Sequence, residues 1–221
     1  MKNETPKILK SEHCFVAGST GSGKSVLAEI YLAGKDFPFV LKLDTKGEYY
    51  ERKAAGIPPW RGLEEGKDYD VVFKLKDVER ATAKKIIYVP DFSEQETPFY
   101  DALFKWIYER ENTTLWIDEL MSVAESAHRY PKYLKALLTR GRSRACAVWS
   151  LTQRPSDIPS IIMANSTHFF IFSLNLPQDR EKLVKVTDQR EFFIKPKRHY
   201  FYYYKIGNTK PVLATLNLKK E

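Results

Sequence analysis

The sequence predicts an α/β fold: a three-layer αβα sandwich around a mainly parallel central sheet, with a C-terminal β-hairpin. Three observations carry this. Short apolar runs alternate with stretches of helical periodicity, the pattern of successive strand–helix–strand units. The first apolar run, Cys14–Ala17, leads directly into a glycine-rich segment that opens a helix. Near the end, two β-prone runs flank Gly207-Asn208, a hairpin signal. The chain has 221 residues, which suits one domain over 1–221, because domains commonly span about 100–200 residues.

After the first strand at Cys14–Ala17, a helix is expected from Lys24 to about Ala33, ended by Gly34. The second strand is Phe39–Leu43, closed by Asp44. Residues 56–70, with Pro58, Pro59 and several glycines, read as loop or a small insertion. Strands follow at Val71–Lys74 and Ile86–Val89, the latter stopped by Pro90. Thr97-Pro98 opens a helix through about Arg110, with Leu103, Trp106 and Ile107 on one face. Thr114–Ile117 is a strand running into Asp118-Glu119. Pro131 starts a helix whose inner face holds Tyr133, Leu134, Leu137 and Leu138. Ala147–Leu151 is a strand ending at Thr152-Gln153. A short helix at Ile158–Met163, a buried strand at His168–Ser173 and a helix at Gln178–Val186 complete the parallel part. His199–Ile206 and Val212–Leu216 then form the hairpin. Its aromatic run, Tyr200–Tyr204, reads as packing in a strand rather than as a stacking surface for bases.

Composition narrows the class. Hydrophobic residues make up 43% and charged residues 29%, ordinary for a globular chain and unlike a disordered one. The net charge of +8 favours anionic partners, nucleic acid first among them. Cys14 and Cys146 have no metal-ligand spacing and make no disulfide framework, so a reduced cytoplasmic setting is expected, with Cys14 in the core. No segment reaches the roughly 18 consecutive apolar residues of a membrane span. The amino-terminal stretch MKNETPKILKSEH lacks an apolar signal core, and the protein is expected to stay where it is made.

Gly18 to Ser25 reads GSTGSGKS, the full G-x-x-x-x-G-K-S pattern of a phosphate-binding loop (Walker A). Its glycines let backbone N–H groups turn inward without side-chain clash, and the following helix points its positive N-terminus at the same charge. Nucleotide contacts are expected over Gly18, Ser19, Thr20, Gly21, Ser22, Gly23, Lys24, Ser25 and Val26. Lys24 should reach the β- and γ-phosphates, and Ser25 should ligate Mg²⁺. An apolar strand before the motif and a helix after it weigh against a chance glycine–serine turn.

Hydrolysis needs a carboxylate for the metal and a base for water. The strand end Leu115–Glu119 supplies both (Walker B): Asp118 for the metal shell, Glu119 to polarise the water. An ordinary acidic helix cap is the alternative for these two residues. Arg140, Arg142 and Arg144 stand within five residues. Such clustering suits γ-phosphate stabilisation, in the chain's own site or a neighbour's, or else a solvated helix end. Gln153 stands where a neutral amide can contact the γ-phosphate or the water.

These residues resemble the FtsK–HerA superfamily of DNA-pumping P-loop ATPases. The resemblance lies in VLKLDTKGEYY, in the arginine–strand–TQRPS stretch GRSRACAVWSLTQRPSDIPSIIMANSTHFFIF and in the phosphate loop, over roughly residues 12–190. It implies ATP and Mg²⁺ as cofactors, and a ring of copies of the chain, a hexamer or pentamer, around double-stranded DNA. Arg142 matches the finger that acts on the neighbouring subunit's nucleotide, with Arg140 and Arg144 as competitors, and Gln153 matches the polar sensor. The sequence shows neither the membrane spans and winged helix of FtsK proteins nor the barrel of HerA. That points to the genome-packaging ATPases of membrane-containing icosahedral viruses, working in the host cytoplasm or on the virion, with a capsid or membrane vertex protein as a further partner. Pore-facing DNA contacts are expected from basic residues such as Arg129, Lys132 and Lys135. A conjugation- or secretion-type ATPase is the alternative.

Overall fold

The structure, a computed structural model, describes residues 6–124, 126 and 128–216. The first five residues, part of the amino-terminal stretch read as lacking a signal core, lie outside the described residues. Nine strands form one sheet. They are β1 (Cys14–Ala17), β2 (Val40–Leu43), β3 (Tyr69–Val72), β4 (Lys85–Tyr88), β5 (Thr114–Ile117), β6 (Ala147–Thr152), β7 (His168–Ile171), β8 (Tyr200–Lys205) and β9 (Val212–Thr215). The helices are α1 (Lys24–Ala33), α2 (Glu48–Ala54), α3 (Leu75–Val78), α4 (Thr97–Arg110), α5 (Lys132–Arg140), α6 (Ser160–Ala164) and α7 (Pro177–Thr187). Across the sheet the order is β3-β4-β2-β5-β6-β1-β7-β8-β9. β1 to β7 run parallel, and the β8–β9 hairpin adds antiparallel beside β7. This is the mainly parallel sheet with a closing hairpin that the sequence predicts.

The central strands β1, β2, β5, β6 and β7 are buried along their whole length. Covered on both faces, they read as near-continuous apolar runs. Alternation splits their side chains between two cores. Phe15, Leu115, Val148 and Phe169 join Leu103, Phe104 and Ile107 of α4 and Leu134 and Leu137 of α5. Val16, Trp116, Trp149 and Phe170 join Leu27, Ala28 and Leu32 of α1 on the other face. Lys42, in mid β2, is only 1% exposed; its ammonium lies 4.5 Å from the Trp116 ring centroid and 3.8 Å from Glu48.

Two short helices depart from the sequence reading. α2 lies in a stretch without a periodic apolar signal, because Tyr49 is its one buried residue. It is held instead by Asp44, whose carboxylate accepts the Glu48 and Tyr49 N–H groups at 3.0 and 2.8 Å, after Gly47 turns the chain at φ 71°. α3 is a single turn, docked by Val78. The short helix expected from Ile158 starts at Ser160, because Pro159 has extended backbone. The aromatic tail packs as expected: Phe201 and Tyr204 are buried, and Tyr203 meets Phe170 at 5.0 Å between centroids. Cys14 and Cys146 are buried free thiols.

At the strand-start edge of the sheet, Glu12 accepts the Leu9 N–H at 2.9 Å, meets His168 Nε2 at 2.9 Å and pairs with Lys205 at 3.2 Å. His168 Nδ1 lies 2.9 Å from the Tyr203 hydroxyl. Burial pushes the Glu12 carboxyl up, but these partners together outweigh it and bring it to about 2. His13, whose Nδ1 accepts the Val148 N–H at 2.9 Å, is pushed down to about 4 by burial, with Arg142 adding to the effect. Both groups make stability fall on acidification. The unfolded chain protonates His13 near 6.5 and the folded state resists to about 4, so stability is lost between those values. Glu12 extends the loss from about 4.5 down to about 2. Urea unfolding across this pH range should show both stages, and His13→Gln should shrink the upper one; an unchanged slope in that variant would contradict the assignment.

Candidate functional site

The phosphate loop leaves the central strand β1 and is fixed at its root on both sides. Gly18 N–H donates to Thr152 O at the end of β6 (3.2 Å), and Ser19 N–H to Ser173 O just past β7 (2.9 Å). Phe172 fills the space beneath. A Cβ at position 18 would lie 2.5 Å from Phe172 Cβ, so only glycine permits this approach. Gly23 closes the loop at φ 107°, a region that glycine enters without strain. Lys24 folds back, its ammonium donating to Gly18 O at 2.8 Å and Ser19 O at 3.1 Å. Burial lowers Lys24 to about 8, against the pull of Glu119 and Asp118 in the other direction.

The ends of β5, β6 and β2 bring the other groups to this loop. Ser25 Oγ donates to Asp118 Oδ1 at 3.0 Å. Thr20 Oγ1 donates to Gln153 Oε1 at 2.6 Å, and Gln153 Nε2 donates to Glu119 Oε2 at 3.2 Å. Lys46 Nζ reaches the same Glu119 oxygen at 2.8 Å. Glu119 Oε1 is buried with no partner among the described residues. A chain of polar contacts therefore runs from the phosphate loop through Gln153 and Glu119 to Lys46. The loop after β6 is itself braced: Arg154 Nε lies 3.3 Å from buried Asp179 of α7, which also accepts the Ser156 N–H at 2.9 Å.

Beside them opens a cavity of about 500 Å³, inside the usual range for nucleotide-sized ligands. Its wall includes Thr20–Val26, Lys46, Asp118 and Gln153. Arg52 and Arg61 stand on its rim and pair with Glu29, which is fully buried on α1; Arg52 lies 2.5 Å and Arg61 3.8 Å from its carboxylate. Burial pushes the Glu29 carboxyl up. The donor set fits Mg²⁺. Ser25 Oγ and Asp118 Oδ1 converge, and no cluster of three His, Cys, Asp or Glu occurs among the described residues. Such an ion would take its remaining ligands from phosphate and water, the coordination Mg²⁺ favours.

The arginine cluster lies elsewhere. Arg140 ends α5, and Arg142 and Arg144 fall in the turn before β6, at the strand-start edge opposite the phosphate loop. Six residues of β6 separate the two edges, about 20 Å at 3.3 Å per residue. Arg144 is committed within its own chain: it donates to Tyr108 O at 2.8 Å, pairs with Glu111 at 3.1 Å and lies over the Tyr108 ring. Arg142 is exposed and donates to Thr167 Oγ1 at 2.8 Å. Arg140 is exposed, with no ion-pair partner among the described residues. Lys132 and Lys135 are exposed on α5.

Sequence reasoning brought the loop, Asp118, Glu119 and Gln153 forward, and geometry brings them together. It passed over Lys46 as a site residue, along with Arg52, Arg61 and His199. Lys46 stood in the DTKGE run after the second strand, but its closeness to Glu119 depends on β2 lying beside β5, which no local pattern encodes.

No protein-family model matches the chain, and no curated protein matches it in sequence. Solved structures do match in fold. The genome packaging NTPase B204 from Sulfolobus turreted icosahedral virus 2 is 15% identical, with a TM-score of 0.75 over 96% of this chain and 100% of that one. B204, the DNA-packaging ATPase from Sulfolobus turreted icosahedral virus, is 18% identical, with a TM-score of 0.68 over 92% of this chain and 96% of that one. VirB4 of Thermoanaerobacter pseudethanolicus is 14% identical, with a TM-score of 0.65 over 94% of this chain and 90% of that one. This chain shares its fold, nearly end to end, with these proteins.

Proposed function

We propose that this chain is an ATP-hydrolysing motor that moves double-stranded DNA, packaging a viral genome into a capsid from the host cytoplasm. The observation that carries the hydrolytic reading is the convergence, at the mouth of the phosphate loop, of the Ser25–Asp118 pair and the unpartnered Glu119 oxygen. The packaging reading is supported by the near-complete overlap with two viral packaging NTPases and by the net charge of +8, which suits a polyanion. ATP as the nucleotide is supported by B204 structures that hold AMPPCP and ATP-gammaS.

In this reading Lys24 exchanges its two carbonyl partners for the β- and γ-phosphates. Ser25 and Asp118 would hold Mg²⁺, which would supply positive charge against the phosphates. Glu119 accepts the proton of the attacking water at its free oxygen, and Gln153 orients that water. Arg142 cannot reach its own nucleotide across the height of the sheet, so it serves a neighbour's in a ring of copies, with Arg140 beside it. DNA is held through its phosphates, without base readout, by exposed lysines and arginines such as Lys132 and Lys135.

Among the described residues no helix is long and apolar enough to cross a membrane. In the packaging reading, a capsid or membrane vertex protein is the further partner of the ring.

Three measurements test this. Lys24→Ala should lower turnover by at least ~10²-fold, the scale of losing one preorganised charge contact; near-normal hydrolysis would remove the phosphate-loop assignment. Arg142→Ala should bind nucleotide normally yet lose ~10³-fold or more in turnover. Mixing it with Glu119→Gln subunits should restore part of the rate, since one of the two orders of mixed contact pairs an intact Glu119 with an intact Arg142; normal hydrolysis by Arg142→Ala would place the finger elsewhere. Duplex DNA should raise the ATPase rate, less so as salt rises. No stimulation by any DNA would turn the reading toward a protein-threading conjugation or secretion ATPase.

A further inference from the structure

The cavity has two unlike ends, and the sheet order keeps them apart. On one side of β1 stand β6 and β5, carrying Gln153, Asp118 and Glu119. On the other stand β7, β8 and β9, and the residues just outside them, Phe172, His199 and Leu216, line the same cavity. The catalytic carboxylates fix where the γ-phosphate must lie. A triphosphate laid along the loop then points its nucleoside toward the hairpin.

That end is walled by Phe172, Val26, Leu216 and His199. Phe172 is 1% exposed and supports the loop glycines from below. Val26 and Leu216 supply aliphatic surface. His199 sits in the left-handed region at φ 66°, an uncommon conformation for a residue with a side chain and one that marks a constrained position. Its carbonyl accepts the Thr215 hydroxyl at 3.2 Å, and Tyr200 N–H donates to Lys197 O at 2.9 Å, so the turn is held from both strands of the hairpin. The His199 ring has no hydrogen-bond partner among the described residues. Thr20 already donates its hydroxyl to Gln153, and Ser22, Ser173, Lys197 and Arg198 line the adjoining recess beside His199.

We propose that His199, Leu216 and Val26 form a nucleobase subsite, closed by the C-terminal hairpin, that holds the base by stacking and apolar contact and does not distinguish adenine from guanine. This rests on the reading that the phosphate loop binds a nucleoside triphosphate. The reason for low selectivity is chemical. Sites that hydrogen-bond a base edge reject the wrong partner by about 10⁴-fold or more, whereas apolar pockets separate near-isosteres by only about 10–200-fold. Adenine and guanine differ in the donors and acceptors on their edges, and His199, Leu216 and Val26 offer no matched set of either.

Equilibrium competition against a fluorescent ATP analogue, in Mg²⁺, tests the subsite without relying on turnover. The competitors are ATP, GTP and inorganic tripolyphosphate. ATP and GTP should bind within ~10-fold of each other, and tripolyphosphate more weakly than either. His199→Asn, chosen because asparagine tolerates φ > 0, should weaken ATP and GTP by ~10-fold each and leave tripolyphosphate unchanged. His199→Phe should stay within ~3-fold of the parent protein, because an aromatic face remains. A preference above ~100-fold for either purine would overturn the inference. So would tripolyphosphate binding as tightly as ATP, or an equal loss of all three competitors in His199→Asn. If the parent protein bound none of them, the phosphate-loop reading would fall first and the subsite with it.

Discussion

The site depends on how β1 is held. It lies between β6 and β7, and the two amides that follow it bond to the carbonyls that end those strands, Gly18 to Thr152 and Ser19 to Ser173. The loop thus starts from three strands rather than one, and its first glycine rests on Phe172 with no room for a side chain. Because β1 to β7 are parallel, Gln153, Asp118, Glu119 and Lys46 all emerge on the same edge as the loop. Ligand sites on open parallel sheets lie beyond the carboxyl ends of the strands for this reason.

Around that edge the polar groups form two tiers. The inner tier is the run from Thr20 through Gln153 and Glu119 to Lys46, with Ser25 and Asp118 beside it. The outer tier braces it. Glu29 and Arg52 tie α1 to α2, Lys42 and Glu48 extend that contact to β2, and Arg154 ties the Gln153 loop to Asp179 of α7. Buried charges carry a large desolvation cost and are retained only with partners. Here each has a partner of opposite charge. Arg142, about 20 Å away across the sheet, has no place in this arrangement within one chain; the proposed ring would give it one through a second copy.

Much of this was legible in the sequence, for reasons that can be named. β1, β5, β6 and β7 are buried on both faces, so their apolar runs stand out. GSTGSGKS and the acidic pair after TLWI are local signals, and the sheet order places them together. What stayed hidden depends on distant neighbours. α2 buries only Tyr49 and is fixed by Asp44 rather than by an apolar face, so its helical period is absent. Lys46 meets Glu119 only because β2 lies beside β5. His199 reaches the cavity only because the hairpin adds next to β7. The commitment of Arg144 to Glu111 and Tyr108 sets it apart from Arg142, which the sequence reading put first, and from Arg140, the other competitor.

The most direct measurement is a structure of the chain with Mg²⁺ and a non-hydrolysable ATP analogue, under conditions where it self-associates. Lys24 should leave Gly18 O and Ser19 O for the phosphates, the ion should sit on Ser25 and Asp118, and an arginine from the turn before β6 of an adjacent copy should lie within hydrogen-bond distance of the γ-phosphate. A γ-phosphate remote from Glu119 and Gln153, or a site complete without any residue from a second copy, would contradict this arrangement.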